Sequence, residues 1–411
     1  LTLLMKRILN TNEDASSSNN IMILGSAFIA SLSFTFTDSF WFNAVEAEVY
    51  AMASFLIALL FWLGLRWEQE MDTPRGNKWL LIISLVIGLS FGVHFMALLT
   101  FPAIGFLYFF KKYKNITVKS FLLANVVIAA ILLFIFKLLL PYTLGFFGKT
   151  EIFMVNSLGL PFNSGTIFAF VFIVVAFYFG LNYTKKKGHV FYNTLILATL
   201  FILIGFSTWL MLPIRANADT PINENKPSDA AEVLAYYNRE QYGEQKLFYG
   251  PQFSETYAGL DATTPYLDDK PNYERDYATG KYVIINNYKN AKQNTDDAHK
   301  ALLPRMWSTD HNENYMVFGK PLEFRINPEY SHEDELVELV TEFRKAYNNG
   351  DVDLSDYHKF LKEYGQYLII DKPSFATNIK FMVQYQFGYM YLRYLLWNFV
   401  GRQNDEQGKY E

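Results

Sequence analysis

The chain has 411 residues, 51% of them hydrophobic and only 18% charged, with a formal net charge of −4 and no cysteine. A soluble domain carries about a quarter charged residues, and the composition suits no collagen-like, coiled-coil or disordered chain. Weak acidity argues against nucleic acid as a partner, and the lack of cysteine excludes a disulfide framework, a thiolate metal site and a cysteine nucleophile.

The average conceals two unlike halves. Residues 1–213 carry 14 Lys and Arg against 9 Asp and Glu, which leaves 22 against 31 for residues 214–411. The first half is apolar and the second polar, so a membrane region with a soluble extension is expected. Leu1 to Met5 runs straight into Lys6 and Arg7 with no secretory-signal pattern, and reads as the tail of an apolar segment within a longer protein.

A helix needs about 20 mostly apolar residues to cross the hydrocarbon core. Residues 21–37, 47–65, 119–141, 166–182 and 190–213 meet that need. The stretch 79–110 is too long for one ordinary span and has Gly92-Val93-His94 near its middle. The basic residues Lys6 and Arg7, Arg66 to Lys78, Lys111 to Lys119, and Lys185 to Lys187 share one side only if this stretch crosses an even number of times. It is therefore read as two short helices, 79–93 and 95–110, each about 22–24 Å long. Seven membrane segments result. Residues 38–48, the His94 turn, residues 142–165 and everything after 213 then share the non-cytoplasmic face.

Residues 214–378 are expected to form a mixed, mostly helical soluble region opening with turn signals at Asp219-Thr-Pro and Asn225-Lys-Pro. A strand is expected at 281–285. A helix should start near Ser331, capped by Ser331 and Asp334, carry the stripe Leu336, Leu339, Val340, Phe343 and Tyr347, and end at Asn349-Gly350. A second should run over 355–364 to Gly365. Residues 379–400 are long enough to span, but an Arg such as Arg393 costs roughly 2.5–3.5 kcal/mol at a span's centre. With six aromatic residues between Tyr385 and Trp397, residues 379–411 read as an interfacial helix on the outer membrane surface and a truncated end.

Three carboxylates crowd the run Asp38-Ser-Phe-Trp41-Phe-Asn-Ala-Val-Glu46-Ala-Glu48-Val-Tyr50. Acids so close to hydrocarbon are costly and usually functional. In a helix Glu46 and Tyr50 share a face; in an extended loop Glu46 and Glu48 point the same way. A partly desolvated carboxylate serves as a general base. The plain alternative is a short outside loop that needs polar residues. His94 is either a hydrogen-bonded structural residue or a ligand of the site; no metal-ligand spacing appears. Arg215, at membrane level on the outer side, either snorkels or grips a phosphate. Asn217, Asn223 and Glu224 are turn formers or sugar-hydroxyl ligands, and Trp41 and Tyr50 are candidate substrate contacts. The polar-aromatic runs 237–243 and 303–308 suit sugar stacking or ordinary packing.

The run from Phe40 to Ala51, with Gly88-Leu-Ser-Phe-Gly-Val-His94, Pro213-Ile-Arg215-Ala-Asn217, Pro221-Ile-Asn-Glu-Asn225, Asn238-Arg-Glu-Gln-Tyr-Gly243 and Trp397 to Asp405, resembles glycosyltransferase family 117 of Bacteroidetes-type bacteria, whose animal relatives are protein O-mannosyltransferases. The resemblance covers nearly the whole chain. It implies a GT-C-like, mainly α membrane helical bundle in a bacterial inner membrane. A sugar, mannose being one candidate, would pass from a polyprenyl-phosphate carrier, with inversion, to a periplasmic protein or glycan acceptor. Glu46, Glu48 and Asp38 would be the catalytic acids and Arg215 and His94 the donor-phosphate contacts. No cofactor is implied, and a divalent metal is left open. Members of the family begin with an earlier span and an acidic loop. Glu46 or Glu48 is therefore expected to be a second acidic site, and this fragment inactive alone. The rival readings are a polytopic transporter or lipid flippase, and a non-catalytic membrane sensor.

Overall fold

The computed structural model describes residues 1–9, 17–218, 220–242, 246–257 and 259–400. Asp219, Gly243 and residues 401–411, which the sequence reading drew on, lie outside them. The chain divides into two compact units, Leu1–Tyr242 with Asp276–Tyr282, and Gly243–Arg275 with Val283–Glu411.

The first unit is helical: α1 (Thr2–Ile8), α2 (Ser17–Thr35), α3 (Asp38–Val45), α4 (Tyr50–Glu70), α5 (Gly76–Phe91), α6 (Phe101–Lys112), α7 (Val118–Leu133), α8 (Leu140–Asn156), α9 (Ser164–Lys186), α10 (Val190–Phe206), α11 (Met211–Ala216) and α12 (Ala230–Asn238). Among the described residues, five helical stretches are long and apolar enough to cross a membrane: Tyr50–Glu70, Phe95–Lys112, Val118–Asn156, Ser164–Lys186 and Val190–Ala216. α2 and α3 pass the same test together, across a 60° bend. α5 is apolar but shorter, 16 residues. This is the composition and length pattern of a polytopic helical membrane protein.

Local chemistry sets several of the ends. A capping box of Thr117 and Ser120 starts α7. Lys111 and Lys112 close α6, and Lys185 and Lys186 close α9, where cations suit the helix dipole.

Helix directions follow from who touches whom. Tyr50 meets His94, Gly64 faces Ile104, and Trp67 stacks on Tyr108, so α4 and α6 run parallel. Asn77 donates to Thr194, Gly88 abuts Ile202 and Gly205, and Trp209 donates to the Phe91 carbonyl, so α5 and α10 also run parallel. Trp79 packs on Trp62, so α4 and α5 are antiparallel. The chain therefore reverses between α5 and α6, at Gly92 to His94. A Cβ on Gly88 would stand 2.1 Å from the Ile202 carbonyl oxygen. Only glycine permits so close an approach of two backbones.

Within the stretch 142–165, expected as a loop, residues 142–156 are helical and the non-helical chain is confined to 157–163. Helix continues through a π-helical turn, Phe134–Leu139, into α8 and ends at Asn156. Pro141 does not stop it, because it falls in the first turn of α8, just after that π turn. At 39 residues the continuous stretch is about 58 Å long, roughly twice the hydrocarbon thickness. Residues 38–48 are likewise not all loop, since 38–45 form α3.

The second unit is built on short paired strands among β1 (Tyr249–Pro251), β2 (Tyr266–Leu267), β3 (Asn272–Asp276), β4 (Lys281–Asn286), β5 (Lys292–Gln293), β6 (Lys300–Leu302), β7 (Phe324–Ile326) and β8 (Leu368–Ile370), of which Asp276, Lys281 and Tyr282 belong to the first unit. The pairs are β1–β6, β2–β5, β3–β4 and β7–β8. Around them lie α13 (Asn312–Gly319), α14 (Asp334–Asn349), α15 (Leu354–Tyr364), α16 (Phe375–Phe381) and α17 (Arg393–Val400). Phe253, Met306, Met316, Val340 and Leu361 are almost fully buried in its core. α14 and α15 join there through a face-to-face stack of Phe343 on Phe360.

α14 starts after Glu333, with no side-chain cap. Ser331 instead bonds the Pro328 carbonyl of a preceding turn, which removes it from the expected cap. Gly350 ends the helix at φ 84°, as the Asn-Gly pair predicted. Residues 375–400 are helical throughout, with a π-helical stretch between α16 and α17. Arg393 there lies over the Tyr389 and Trp397 rings.

Candidate functional site

The acidic run brackets the start of α4. Asp38 sits in the first turn of α3, a position that the helix dipole favours on its own. Trp41 stacks on Phe36. The chain then leaves the helix, so Glu46 and Glu48 lie on a non-helical link and are exposed. Tyr50 opens α4, and its ring lies 5.7 Å from that of His94.

His94 caps the 3-10 turn Phe95–Thr100 by accepting from the Met96 N–H through Nδ1 at 3.1 Å. With Nδ1 used as an acceptor, the neutral ring carries its proton on Nε2, where it is a donor. The His94 turn abuts the end of α10, since a Cβ on Gly92 would meet Thr208. Parallel packing of α5 and α10 thus brings the His94 turn and the α10 exit to one end of the bundle. Glu46, Glu48 and Tyr50 are at that end through the Tyr50–His94 contact.

Aromatic rings fill the space just behind. Phe95 touches Phe136 and Tyr237, and Trp209 touches Tyr236 and Tyr237. Tyr237 is buried and donates to the Phe136 carbonyl, which burial and this bond fix in place. Burial raises its hydroxyl pKa well above the ordinary value, so it stays a neutral donor.

On the far side of Tyr236 opens a cavity of about 480 Å³ lined by Arg215, Thr220, Asn223, Glu224 and Tyr236. Arg215 is exposed in the last turn of α11. Among the described residues it makes no ion pair, with Glu224 or any other acid. Asn217 and Asn223 hold this loop together. Asn217 donates to the Pro213 and Ser228 carbonyls, and Asn223 donates to the Ala216 carbonyl. Both donors of the Asn217 amide are therefore spent, whereas Asn223 keeps one N–H and its carbonyl oxygen for a ligand. α12 is anchored beneath by a capping box of Asp229 and Glu232.

The structure thus brings Tyr50 to His94, with Glu46 and Glu48 on the link just before Tyr50, and lines one cavity at the same end with Arg215, Asn223 and Glu224. No hydrogen bond or ion pair joins the two groups among the described residues. Tyr236, which walls the cavity, carried no sequence signal apart from the aromatic run beginning beside it. No group of three or more His, Asp or Glu poised for a metal occurs among the described residues.

Residues 1–117 match the family described as protein O-mannosyl-transferase TMEM260 N-terminal domain, and residues 243–383 match a family of unknown function, DUF8416. No curated protein and no solved structure matches the chain. The first family match covers both the acidic run and the His94 turn, supports an O-mannosyltransferase-like family, and suggests a protein glycosyltransferase.

Proposed function

We propose that the chain is part of an integral-membrane glycosyltransferase of GT-C type that takes a sugar, mannose first among candidates, from a polyprenyl-phosphate carrier. The acceptor is a hydroxyl on a periplasmic protein or glycan. The observation that supports this best is the placing of the acidic run, the His94 turn and the Arg215 cavity at one end of the bundle. A phosphate group fits a guanidinium that has no ion pair among the described residues, in a cavity of this size.

In this reading the acceptor oxygen forms a bond to the anomeric carbon, and the bond from that carbon to the carrier phosphate oxygen breaks. The hydroxyl proton passes to a carboxylate, Glu46 or Glu48. The carrier leaves as its phosphate monoester, whose charge Arg215 stabilises and to which His94 Nε2–H donates. Exposed Glu46 and Glu48 are free to meet an acceptor from the aqueous side. Tyr50, Trp41, Asn223 and Glu224 are the remaining substrate contacts, with Asp38 and Asn217 in supporting places.

The test supplies polyprenyl-phosphate-linked labelled mannose to membranes holding the full-length parent protein. Transfer to protein should fall by about 10²-fold or more in Glu48→Gln if Glu48 is the base. Transfer that persists there and in Glu46→Gln would move the base outside residues 46–48. Absence of transfer with any lipid-linked sugar would sink the reading.

A further inference from the structure

The second unit holds a cavity of about 780 Å³ that plays no part in the reaction above. Arg325, Lys362, Lys372, Asp296 and Asp371 all line it. Among the described residues none of these five is ion-paired with another. Lys372 donates to the Lys300 carbonyl, and Asp296 accepts from the Ala298 N–H. The side chains of Arg325, Lys362 and Asp371 make no hydrogen bond among the described residues.

One wall of the cavity is fixed. His299 is only 8% exposed, and its Nδ1 is hydrogen-bonded to the fully buried Ser254 hydroxyl at 3.0 Å. That leaves Nε2 as its one ring nitrogen without a partner among the described residues, on a ring that lines the cavity. Tyr257 has its hydroxyl engaged by His358, so what it offers the cavity is its ring.

These groups choose among ligand classes. A small anion would meet Asp296 and Asp371. A cation would meet Arg325, Lys362 and Lys372. Opposite charges left unpaired in one cavity are each free to bond a group that both donates and accepts. Hydroxyls do both, and a ring of hydroxyls with one apolar face also suits an aromatic wall. The volume lies in the range that encloses small-molecule ligands. We propose that this cavity is a saccharide-binding site for a neutral, polyhydroxylated ligand, distinct from the Arg215 cavity.

The test measures binding of mannotriose, chitotriose and trigalacturonate to the full chain in detergent micelles, by calorimetry or ligand-observed NMR. A neutral trisaccharide should bind, and Arg325→Ala and Asp371→Asn should each weaken it by about 10-fold or more, while Arg215→Ala leaves it unchanged. Both substituted side chains are exposed, so the variants should melt like the parent. Three results would overturn the site: no neutral binding at millimolar concentration, binding indifferent to both variants, or binding of trigalacturonate alone that depends only on Arg325. Because no donor lipid is present, failure here is separate from failure of the transferase reaction.

Discussion

Among the described residues Arg215 has no carboxylate partner, and it stands where an apolar helix gives way to a polar loop. A structural arginine in such a place is expected to be paired or to be replaceable by lysine. A phosphate-gripping one is not, because the planar fork gives two parallel bonds and an ammonium does not. Arg215→Ala should therefore lower transfer by about 10²–10³-fold, and Arg215→Lys should recover only a small part of it, in the membrane assay with labelled donor. Full rescue by lysine would leave a snorkelling side chain as the better account.

His299, in the other unit, makes a prediction about acidity. Burial holds its pKa below the ordinary 6.5, Asp296 and Asp371 oppose that shift, and Lys372 adds to it. The unfolded chain thus takes up a proton that the folded one resists. The stability this gives is complete above about pH 6.5 and is lost as pH falls toward the folded-state value. Thermal melting of the full chain between pH 7.5 and 5.5 should fall more steeply in the parent than in His299→Asn. Equal slopes would mean the ring is not held neutral by the fold.

At the scale of elements, the start of α9 shows how a charge far away in sequence finishes a helix. Asn163 precedes it with φ 71° and gives no side-chain cap. The buried carboxylate of Glu151, from α8, accepts instead from Asn163 N–H at 2.6 Å, Thr166 N–H at 2.8 Å and the Thr166 hydroxyl. Those are donors that no carbonyl within the helix satisfies. A Cβ on Gly165 would stand 2.3 Å from the Glu151 Cα, so the close seat needs glycine. Tyr282 also donates to Glu151, and its backbone N–H and carbonyl pair with the Asn156 amide. Glu151→Ala should cost about 1–3 kcal/mol for each stranded donor that water does not reach, and Glu151→Gln less, because it keeps one acceptor. Denaturant melts of the detergent-solubilised chain check both, and an unchanged Ala variant would remove the cap.

None of this was readable from the sequence. Glu151 and Asn163 fall between two predicted spans, and the donors that Glu151 meets come from residues 163–166 and 282. By contrast, the reversal at Gly92 to His94 was readable, because charge bias and span length act over whole segments and do not depend on contacts. The acidic run stands out in the sequence for the same reason, as carboxylates near hydrocarbon, and its chemistry belongs to the proposed function. The Arg215 cavity was legible only by its guanidinium. Its wall, Tyr236, and the engagement of Asn217 and Asn223 with backbone carbonyls depend on how residues 213–236 fold back on themselves.

For the whole molecule, the close contact of α5 with α10 has a consequence for how the protein is made. α5 is about 24 Å long, short of the hydrocarbon core, and its nearest neighbour in space is synthesised about 100 residues after it. Until α10 emerges, the glycine face at Gly88 has only lipid to touch. Insertion into the bilayer is therefore expected to take two stages, with α5 beside α4 first and seated when its late partner arrives. Gly88→Val, whose side chain the Ile202 backbone does not admit, should leave α5 beside α4 but lower the melting temperature of the detergent-solubilised chain, and an unchanged melt would remove the close contact as a late-formed seat.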